Sequence, residues 1–202
     1  MKFYRLLLII PLMILLGCND YSLQDPFKGP NGLWGYKDGD GKIRVKAKYQ
    51  KADSFSGNFA RVNDGWWGFI NKQGKEVVPL KYDDVDYFYD GLAIVQLNGK
   101  WGFVDETGKE VIELKYDGVQ GFHTSLAAVK LDGKWGLVNK KGKEIIPPKY
   151  DYVMRFSMDG RVLPGYRVKL NGNWALLDGT LTEYWDMTED QFREYIKQLN
   201  KN

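Results

Sequence analysis

Short apolar runs separated by turn residues repeat along the chain from Gly32 almost to its end. Phe103-Val104 and Val111-Ile112 lie on either side of one such turn. Runs of this kind are typical of β-strands, and Asx-Gly dipeptides between them predict tight hairpins. The hairpin dipeptides are Asn98-Gly99, Asp132-Gly133 and Asn171-Gly172. The pattern therefore predicts antiparallel β structure over most of the chain.

The same pattern recurs at a period of about 34 residues, anchored on tryptophan. The anchors are Trp34, Trp67, Trp101, Trp135 and Trp174, and each of the first four is followed by glycine. Four residues beyond each anchor lies Asp or Asn, and in the first four units Gly-Lys begins three residues later. In the same four units Lys-Tyr lies fourteen and fifteen residues beyond the tryptophan, and Phe lies twenty-one residues beyond it. A fixed period of this length predicts a tandem repeat fold.

Each repeat reads as three antiparallel strands joined by two hairpins and one longer loop. Asx followed by Gly three residues later suits a tight turn in which glycine takes a positive φ. Pro79 and Pro147 share one repeat position near the end of the middle strand. Proline cannot donate a ladder hydrogen bond, so this strand is expected at a sheet edge.

The pattern changes to a helical period near the C-terminus. Thr188 and Gln191 have the capping-box spacing, and Phe192, Tyr195, Ile196 and Leu199 recur as one apolar face. We therefore predict a β domain over 32–181 and an amphipathic capping helix within 182–202. The helix favours an open, twisted stack of units, whose last unit would need covering; a small propeller-like ring is the alternative.

These residues resemble the WG-repeat family, also described as KWG repeats, of bacterial envelope and secreted proteins. The resemblance extends from about Gly32 to Leu177 and departs from the pattern at Ala175 and at Gln50, which replaces the Asp after the other tyrosines. The fifth repeat is expected to stop after its first hairpin turn. The resemblance implies an all-β array with no defined catalytic activity.

The first residues have the pattern of a secretory signal. Lys2 and Arg5 precede an apolar run from Leu6 to Leu16, too short for a membrane-spanning helix. The segment ending in Leu15-Leu16-Gly17-Cys18 resembles a bacterial lipoprotein signal, which implies cleavage before Cys18 and acylation of its thiol. An ordinary signal peptide or a single-pass anchor is the alternative. We predict a signal peptide over 1–17 and a polar tether over 18–31.

Charge and cysteine content exclude some classes of function. Without Lys2 and Arg5 the chain keeps 27 basic residues against 26 acidic ones, and its lysines are dispersed. This distribution gives no support for nucleic-acid binding, which needs a clustered basic face. Cys18 is the only cysteine, so no intramolecular disulfide is possible.

The sequence contains no convincing catalytic, metal or cofactor motif. His123 is the only histidine, and the equivalent repeat positions hold ordinary loop residues. The segment from Asp38 to Gly41 faintly resembles a calcium loop, but it aligns with the other hairpin turns. We therefore predict a protein that is not an enzyme and that needs no metal or cofactor.

Aromatic residues are the strongest remaining indication of function. Those at repeat positions, including the five tryptophans, are expected to fill the core. Six aromatic residues lie off the repeat and form the candidate ligand surface: Trp66, Tyr87, Tyr89, Tyr152, Tyr166 and Trp185. Function is expected where repeats differ, namely in the loop from Asp83 to Asp90, between Phe156 and Val168, and at the capping end.

The leading hypothesis is a lipid-anchored binding or scaffold protein of the cell envelope that presents its repeat surface to a protein partner. The outer membrane or cell surface is preferred over the inner membrane. Glycan or peptidoglycan binding through the off-repeat aromatics is the alternative. A row formed by Trp66, Tyr87 and Tyr152 would favour the glycan.

Overall fold

A computed structural model describes residues 23–123, 125–158 and 161–185, with residues 188, 190, 191, 194, 195 and 198. These residues form an all-β fold of consecutive antiparallel strands. In chain order the strands are β1 (Leu23–Lys28), β2 (Trp34–Asp38), β3 (Ile43–Tyr49), β4 (Lys51–Ala52), β5 (Phe59–Asn63), β6 (Trp67–Asn71), β7 (Glu76–Tyr82), β8 (Asp84–Val85), β9 (Leu92–Leu97), β10 (Lys100–Asp105), β11 (Glu110–Tyr116), β12 (Gly118–Val119), β13 (Leu126–Leu131), β14 (Lys134–Asn139), β15 (Glu144–Tyr150), β16 (Tyr152–Met158), β17 (Arg161–Leu170), β18 (Asn173–Leu177) and β19 (Glu183–Trp185).

The strands are arranged in five sheets that follow one another along the chain. The first is β1-β2-β3, and the next four each contain four strands in sequential order, ending with β16-β17-β18-β19. Each hydrophobic core lies between two consecutive sheets. One core, for example, joins Tyr36 of the first sheet to Val62 of the second, and another joins Tyr150 of the fourth to Val168 of the fifth. The predicted open stack is therefore confirmed, and the ring is not formed.

Sheet boundaries are shifted relative to the tryptophan-counted repeat. A sheet takes its first long strand from the end of one repeat and its next two from the repeat that follows, as in β9, β10 and β11. The predicted loop after the Lys-Tyr pair contains an additional two-residue strand, β4, β8 or β12, which pairs with the next long strand. The middle sheets therefore have four strands rather than three.

The glycine after tryptophan permits close contact between neighbouring strands. A Cβ on Gly102 would lie 2.5 Å from the carbonyl oxygen of Ile112, and one on Gly136 would lie equally close to that of Ile146. The register of β10 and β11 shifts at this point, which brings the bulged strand against the glycine. In the fifth sheet Ala175 replaces the glycine, and β18 and β19 pair there without a shift.

The predicted turns are formed as expected. In the Asn98-Gly99 hairpin both residues have positive φ, 52° and 74°. In the longer hairpin of the same sheet, Asp105 Oδ1 accepts hydrogen bonds from the amides of Thr107 and Lys109, and Gly108 has a φ of 84°. Pro79 and Pro147 lie in β7 and β15, which are edge strands as predicted.

A ladder of polar contacts joins consecutive sheets. In each interface the lysine of the Lys-Tyr pair contacts a glutamate nine residues beyond the next tryptophan. The pairs are Lys48–Glu76, Lys81–Glu110, Lys115–Glu144 and Lys149–Glu183. The hydroxyls of Tyr116 and Tyr150 donate to the glutamates of their own interfaces. Burial, followed by the Glu144 contact, raises the pKa of Tyr116 to about 12.

Both ends of the β domain extend beyond the predicted limits. Leu23–Lys28 pairs with β2, so these residues belong to the first sheet and not to a tether. Glu183–Trp185 pairs with β18, so the fifth unit continues past its first hairpin turn. An edge strand can be polar, because it is paired on one side only. The polar composition of residues 23–31 therefore predicted a tether although part of this segment is a strand.

The capping box predicted at Thr188 is present. Thr188 Oγ1 accepts from the Gln191 amide at 3.2 Å, and the Gln191 side chain accepts from the Thr188 amide at 2.8 Å. Residues 190, 191, 194, 195 and 198 are helical. The Tyr195 hydroxyl lies 2.9 Å from Asp178 Oδ2 in the last sheet, while Phe192, Ile196 and Leu199 lie outside the described residues.

Residues 1–22, including Cys18, are also outside the described part of the chain. Among the residues that are described, none belongs to a helix with the length and apolar character needed to cross a membrane.

Candidate binding cleft

The repeat tryptophans lie at the margins of the cores and do not fill them as predicted; Trp34, Trp67 and Trp135 pack against the buried clusters. Trp34, Trp67, Trp101 and Trp135 are half-buried and Trp174 is exposed. The tyrosine of each Lys-Tyr pair fills the core instead, and Tyr82 and Tyr150 are completely buried. Tryptophan has a polar indole N–H, so it is accommodated at a surface that is partly exposed to water. The sequence pattern could not distinguish the tryptophan position from the tyrosine position.

The six off-repeat aromatics do not form one surface. Trp66, Tyr87, Tyr89 and Tyr152 are exposed, with Tyr89 at 70%. Tyr166 is only 4% exposed and donates to the Leu126 carbonyl, so it cannot belong to an exposed ligand surface. Trp185 packs partly against the last core.

The row proposed for Trp66, Tyr87 and Tyr152 is not apparent, because the three rings occupy three different repeat positions. Trp66 directly precedes Trp67, where later repeats have Lys100 and Lys134. Tyr152 makes an edge contact with Trp174, the two ring centroids being 6.0 Å apart. Tyr87 contacts the second sheet instead.

A cleft of about 610 Å³ lies over the loops that connect consecutive sheets; we call it the loop cleft. Its lining comes from equivalent segments of four successive units: Ser56 from the first, the segment from Asp86 to Tyr89 from the second, Gly121 and Phe122 from the third, and Arg155, in strand β16, from the fourth. Leu92, Ile94 and Phe103 complete it. The volume is within the range of ligand-binding pockets, and an apolar floor with a few polar rim groups is typical of them.

The loop after β8 is held by an arginine from the preceding sheet. Arg61 Nε donates to Asp53 Oδ2 at 2.6 Å, and one of its terminal nitrogens donates to the Val85 carbonyl at 3.0 Å. The guanidinium also lies 3.9 Å from the centroid of the Tyr87 ring. The Tyr87 hydroxyl accepts from Arg61 and donates to Asp53. Tyr87 is thereby fixed on the rim of the cleft.

The loop that contributes Gly121 is held in a similar way. Arg155 donates to the carbonyls of Gly121 and Phe122, at 2.9 and 3.3 Å. Arg155 occupies the same repeat position as Tyr87, two units further along the chain, with Gly121 at this position in the unit between them. Beneath the rim, Phe88 packs against Phe59 and Phe69, with 4.7 Å between ring centroids in each pair. The cleft is consequently built on a rigid base.

The described residues contain no group of three or more histidine, cysteine, aspartate or glutamate side chains placed to hold a metal ion. His123 lies outside the cleft lining and its ring contacts that of Tyr166, 6.2 Å between centroids. Asp38, the start of the faint calcium motif, accepts turn amides and pairs with Arg44, which confirms the turn interpretation.

Sequence reasoning identified part of this site. The loop from Asp83 to Asp90 was singled out because it departs from the repeat, and its residues line the cleft. Arg61 and Arg155 were not predicted. When the repeats are aligned, Arg61 stands where other units have Ile94 and Ala128, and Arg155 stands where the preceding unit has Gly121. An unusual side chain at an aligned loop position was the available signal.

Comparison with known proteins shows a repeat family and little else. The family described as WG containing repeat matches residues 34–65, 67–101, 101–135 and 135–174. No curated protein matches the chain significantly. One similar solved structure is the extracellular domain of the proposed one component system BT4673 from B. thetaiotaomicron, with 10% identity and a TM-score of 0.35. That similarity covers 82% of this chain but 30% of the other, so the chain spans about a third of that protein.

Proposed function

Since the chain belongs to the WG-repeat family, we propose that it is a binding protein of the cell envelope that presents the loop cleft to a protein partner. The observation that carries the proposal is the cleft itself, which combines residues from four successive units into one recess. Repeat arrays commonly bind through surfaces of this kind, because equivalent loops recur along one side of the stack.

The chemistry of the cleft supports a protein partner. Phe88 is half-buried in the lining of the cleft, and Tyr87 and Tyr89 are exposed at the rim. Aromatic residues and arginine are enriched at the energetic centres of protein interfaces. A glycan was expected to bind across Trp66, Tyr87 and Tyr152, and their separate repeat positions give less support to that alternative.

We further propose that the protein is attached to a membrane through acylated Cys18, with the outer membrane or cell surface as its location. The support is the signal-like sequence that ends at Cys18, the only cysteine in the chain. Durable attachment needs more than one acyl chain, which a lipoprotein N-terminus supplies. Cys18→Ser is expected to move the protein from the membrane fraction to the soluble fraction and to abolish acyl labelling. Unchanged fractionation would contradict the anchor.

The binding proposal is tested by site-specific photo-crosslinking in the living cell. A photoreactive phenylalanine analogue at Tyr89 should yield one discrete protein adduct. The same analogue at Glu106, in a hairpin turn outside the cleft lining, is the control and should not yield that adduct. The same adduct pattern at both positions, or no protein adduct at Tyr89, would refute the proposal. A glycan adduct at Tyr89 would favour the alternative.

A further inference from the structure

Most of the repeat tryptophans are covered by a cation from the chain itself. Lys28 lies 5.8 Å from the ring centroid of Trp34, and Lys130 lies 5.9 Å from that of Trp135. Over Trp67 and Trp174 an arginine and a lysine approach together, at 4.9 to 5.7 Å. These distances are within the range of cation–π attraction. In four of the five units, therefore, the ring faces a positive charge.

The register of the sheets explains where these cations come from. Trp34, Trp135 and Trp174 each pair across the strands with a lysine, namely Lys28, Lys130 and Lys169. In the third unit, Trp101 pairs with Gln96. Trp67 pairs with Asn63 and takes its cations from Lys51 and Arg61 instead.

Trp101 lines an open cavity of about 300 Å³; we call it the Trp101 cavity. Its other walls are Arg61, the segment from Asp84 to Asp86, Ile94 and Val119. Arg61 is already engaged with Asp53 and with the Tyr87 ring. Within the described residues no lysine or arginine lies over the Trp101 ring at the distances seen in the other units.

Two carboxylates line this cavity. Asp84 occupies the repeat position of Lys51 and Gly118, and Asp86 occupies that of Asp53 and Gln120. Each of these aspartates accepts a hydrogen bond from the amide of the residue that follows it. In the described part of the chain neither is ion-paired. The third unit thus has no covering cation, and it is the one unit with an acidic residue at both positions beside its tryptophan.

We propose that the Trp101 cavity binds a lysine or arginine side chain of the protein partner. The face of the Trp101 ring and the carboxylates of Asp84 and Asp86 would contact the partner's cationic group. In the other units a lysine or arginine of the chain itself supplies this cation. Attraction to a ring face and to nearby carboxylates is strengthened when the cation is partly removed from water. This inference rests on the proposed function and specifies the chemistry of its partner.

The position of the cavity also predicts which type of partner residue lies next to the basic one. The cavity shares Asp86 and Ile94 with the loop cleft, so the two recesses are adjacent. A segment that binds both would place an aromatic or aliphatic side chain against Phe88 and an adjacent basic side chain against Trp101. The ligand motif is therefore an apolar residue next to lysine or arginine.

Two dipeptides test this motif on the whole protein. Acetyl-Phe-Lys-amide and acetyl-Phe-Gln-amide are titrated while the Trp101 indole N–H is followed by NMR, with the signal assigned through Trp101→Phe. The lysine peptide should bind about tenfold more tightly. Raising the salt concentration to 1 M should reduce the preference, because the cavity is open to solvent. Equal affinities, or no shift of the Trp101 signal with either peptide, would overturn the assignment.

The repeats provide matched variants. Gln96→Lys installs the cross-strand lysine that Trp34, Trp135 and Trp174 have, and it should remove the preference while leaving the protein folded. Asp84→Asn and Asp86→Asn should each weaken binding of the lysine peptide only. Lys130→Gln uncovers Trp135, whose cavity side has Gly118 and Gln120, and should create no comparable site. A preference that survives in Gln96→Lys would also refute the inference.

The two proposals fail in different ways. A partner adduct at Tyr89 without any preference for the lysine peptide would retain the binding function and remove the cation site. Loss of the Tyr89 adduct in Gln96→Lys would show that the partner uses both recesses, because this substitution changes the Trp101 cavity and leaves the residues of the loop cleft unchanged.

Discussion

Gly102→Ala is expected to destabilise the protein strongly, although glycine is usually the weaker residue in a strand. The new methyl carbon would lie 2.5 Å from the Ile112 carbonyl oxygen and 2.9 Å from that of Glu113. An ordinary contact between such atoms is about 3.3 Å or longer, so strands β10 and β11 must separate by several tenths of an ångström. Both obstacles are backbone atoms and cannot rotate away. Overpacking of this kind costs about 3 kcal/mol.

Thermal unfolding followed by near-ultraviolet circular dichroism measures this effect. For a protein of this size, a loss of about 3 kcal/mol corresponds to a fall in Tm of roughly 6 to 12 °C. The matched control is Ala175→Gly, at the same repeat position in the sheet without a register shift. That change should cost no more than about 1 kcal/mol. If Gly102→Ala and Ala175→Gly have the same Tm as the natural protein, the close strand contact does not select glycine, and the reasoning is wrong.

Three further predictions concern other parts of the molecule. Arg61→Leu removes the contacts to Asp53 and Tyr87 and should speed amide exchange in residues 86–89, whereas Arg44→Leu, the control, should leave that loop unchanged. Hydrogen bonds from Lys149 and Tyr150 lower the pKa of Glu183 below its ordinary value of 4.5. The ionised glutamate therefore stabilises the fold fully above pH 4.5, and this stabilisation is lost as the pH falls through the lowered pKa. The Tm difference between the natural protein and Glu183→Gln should therefore be present at pH 7 and shrink below pH 4.5; a constant difference would contradict the ionic origin. Thr188→Ala breaks the capping box, at a cost of about 1 kcal/mol, and should raise the exchange rate of the Gln191 amide about fivefold, while Thr188→Ser should not.

The features that could be predicted from sequence are those fixed by local backbone chemistry. Asn98-Gly99 forms its hairpin because both residues accept positive φ, and Pro147 lies in an edge strand because it lacks a donor. Gly136, which follows a repeat tryptophan, lies where a Cβ would be 2.5 Å from a backbone oxygen of the next strand, and only glycine lacks that atom. These rules act within a few residues, so one sequence is sufficient to apply them.

What escaped prediction depends on contacts between units. Glu110 and Glu144 were not recognised as ladder residues, because their lysine partners lie about 30 positions earlier in the chain. The repeat tryptophans were assigned to the core on account of their size, but Trp101 is half-buried near the start of β10, whereas Gly102, Phe103 and Val104 after it are buried. The cleft likewise requires residues from four units to be brought together, which only the stacking of the sheets determines.

The ladder between sheets has a direction, and this bears on how an array can be lengthened. Each unit offers a lysine to the unit that follows and a glutamate to the unit that precedes it, so every internal junction uses the same two positions. Duplication of one internal unit would therefore create a new junction that is already complementary, and arrays of different length could arise by recombination within one gene. The two ends of the array lack these groups. In the first sheet the glutamate position holds Ile43, which is exposed, and in the last unit the lysine position holds Thr188. The ladder therefore gives the two ends nothing with which to join a second molecule head to tail.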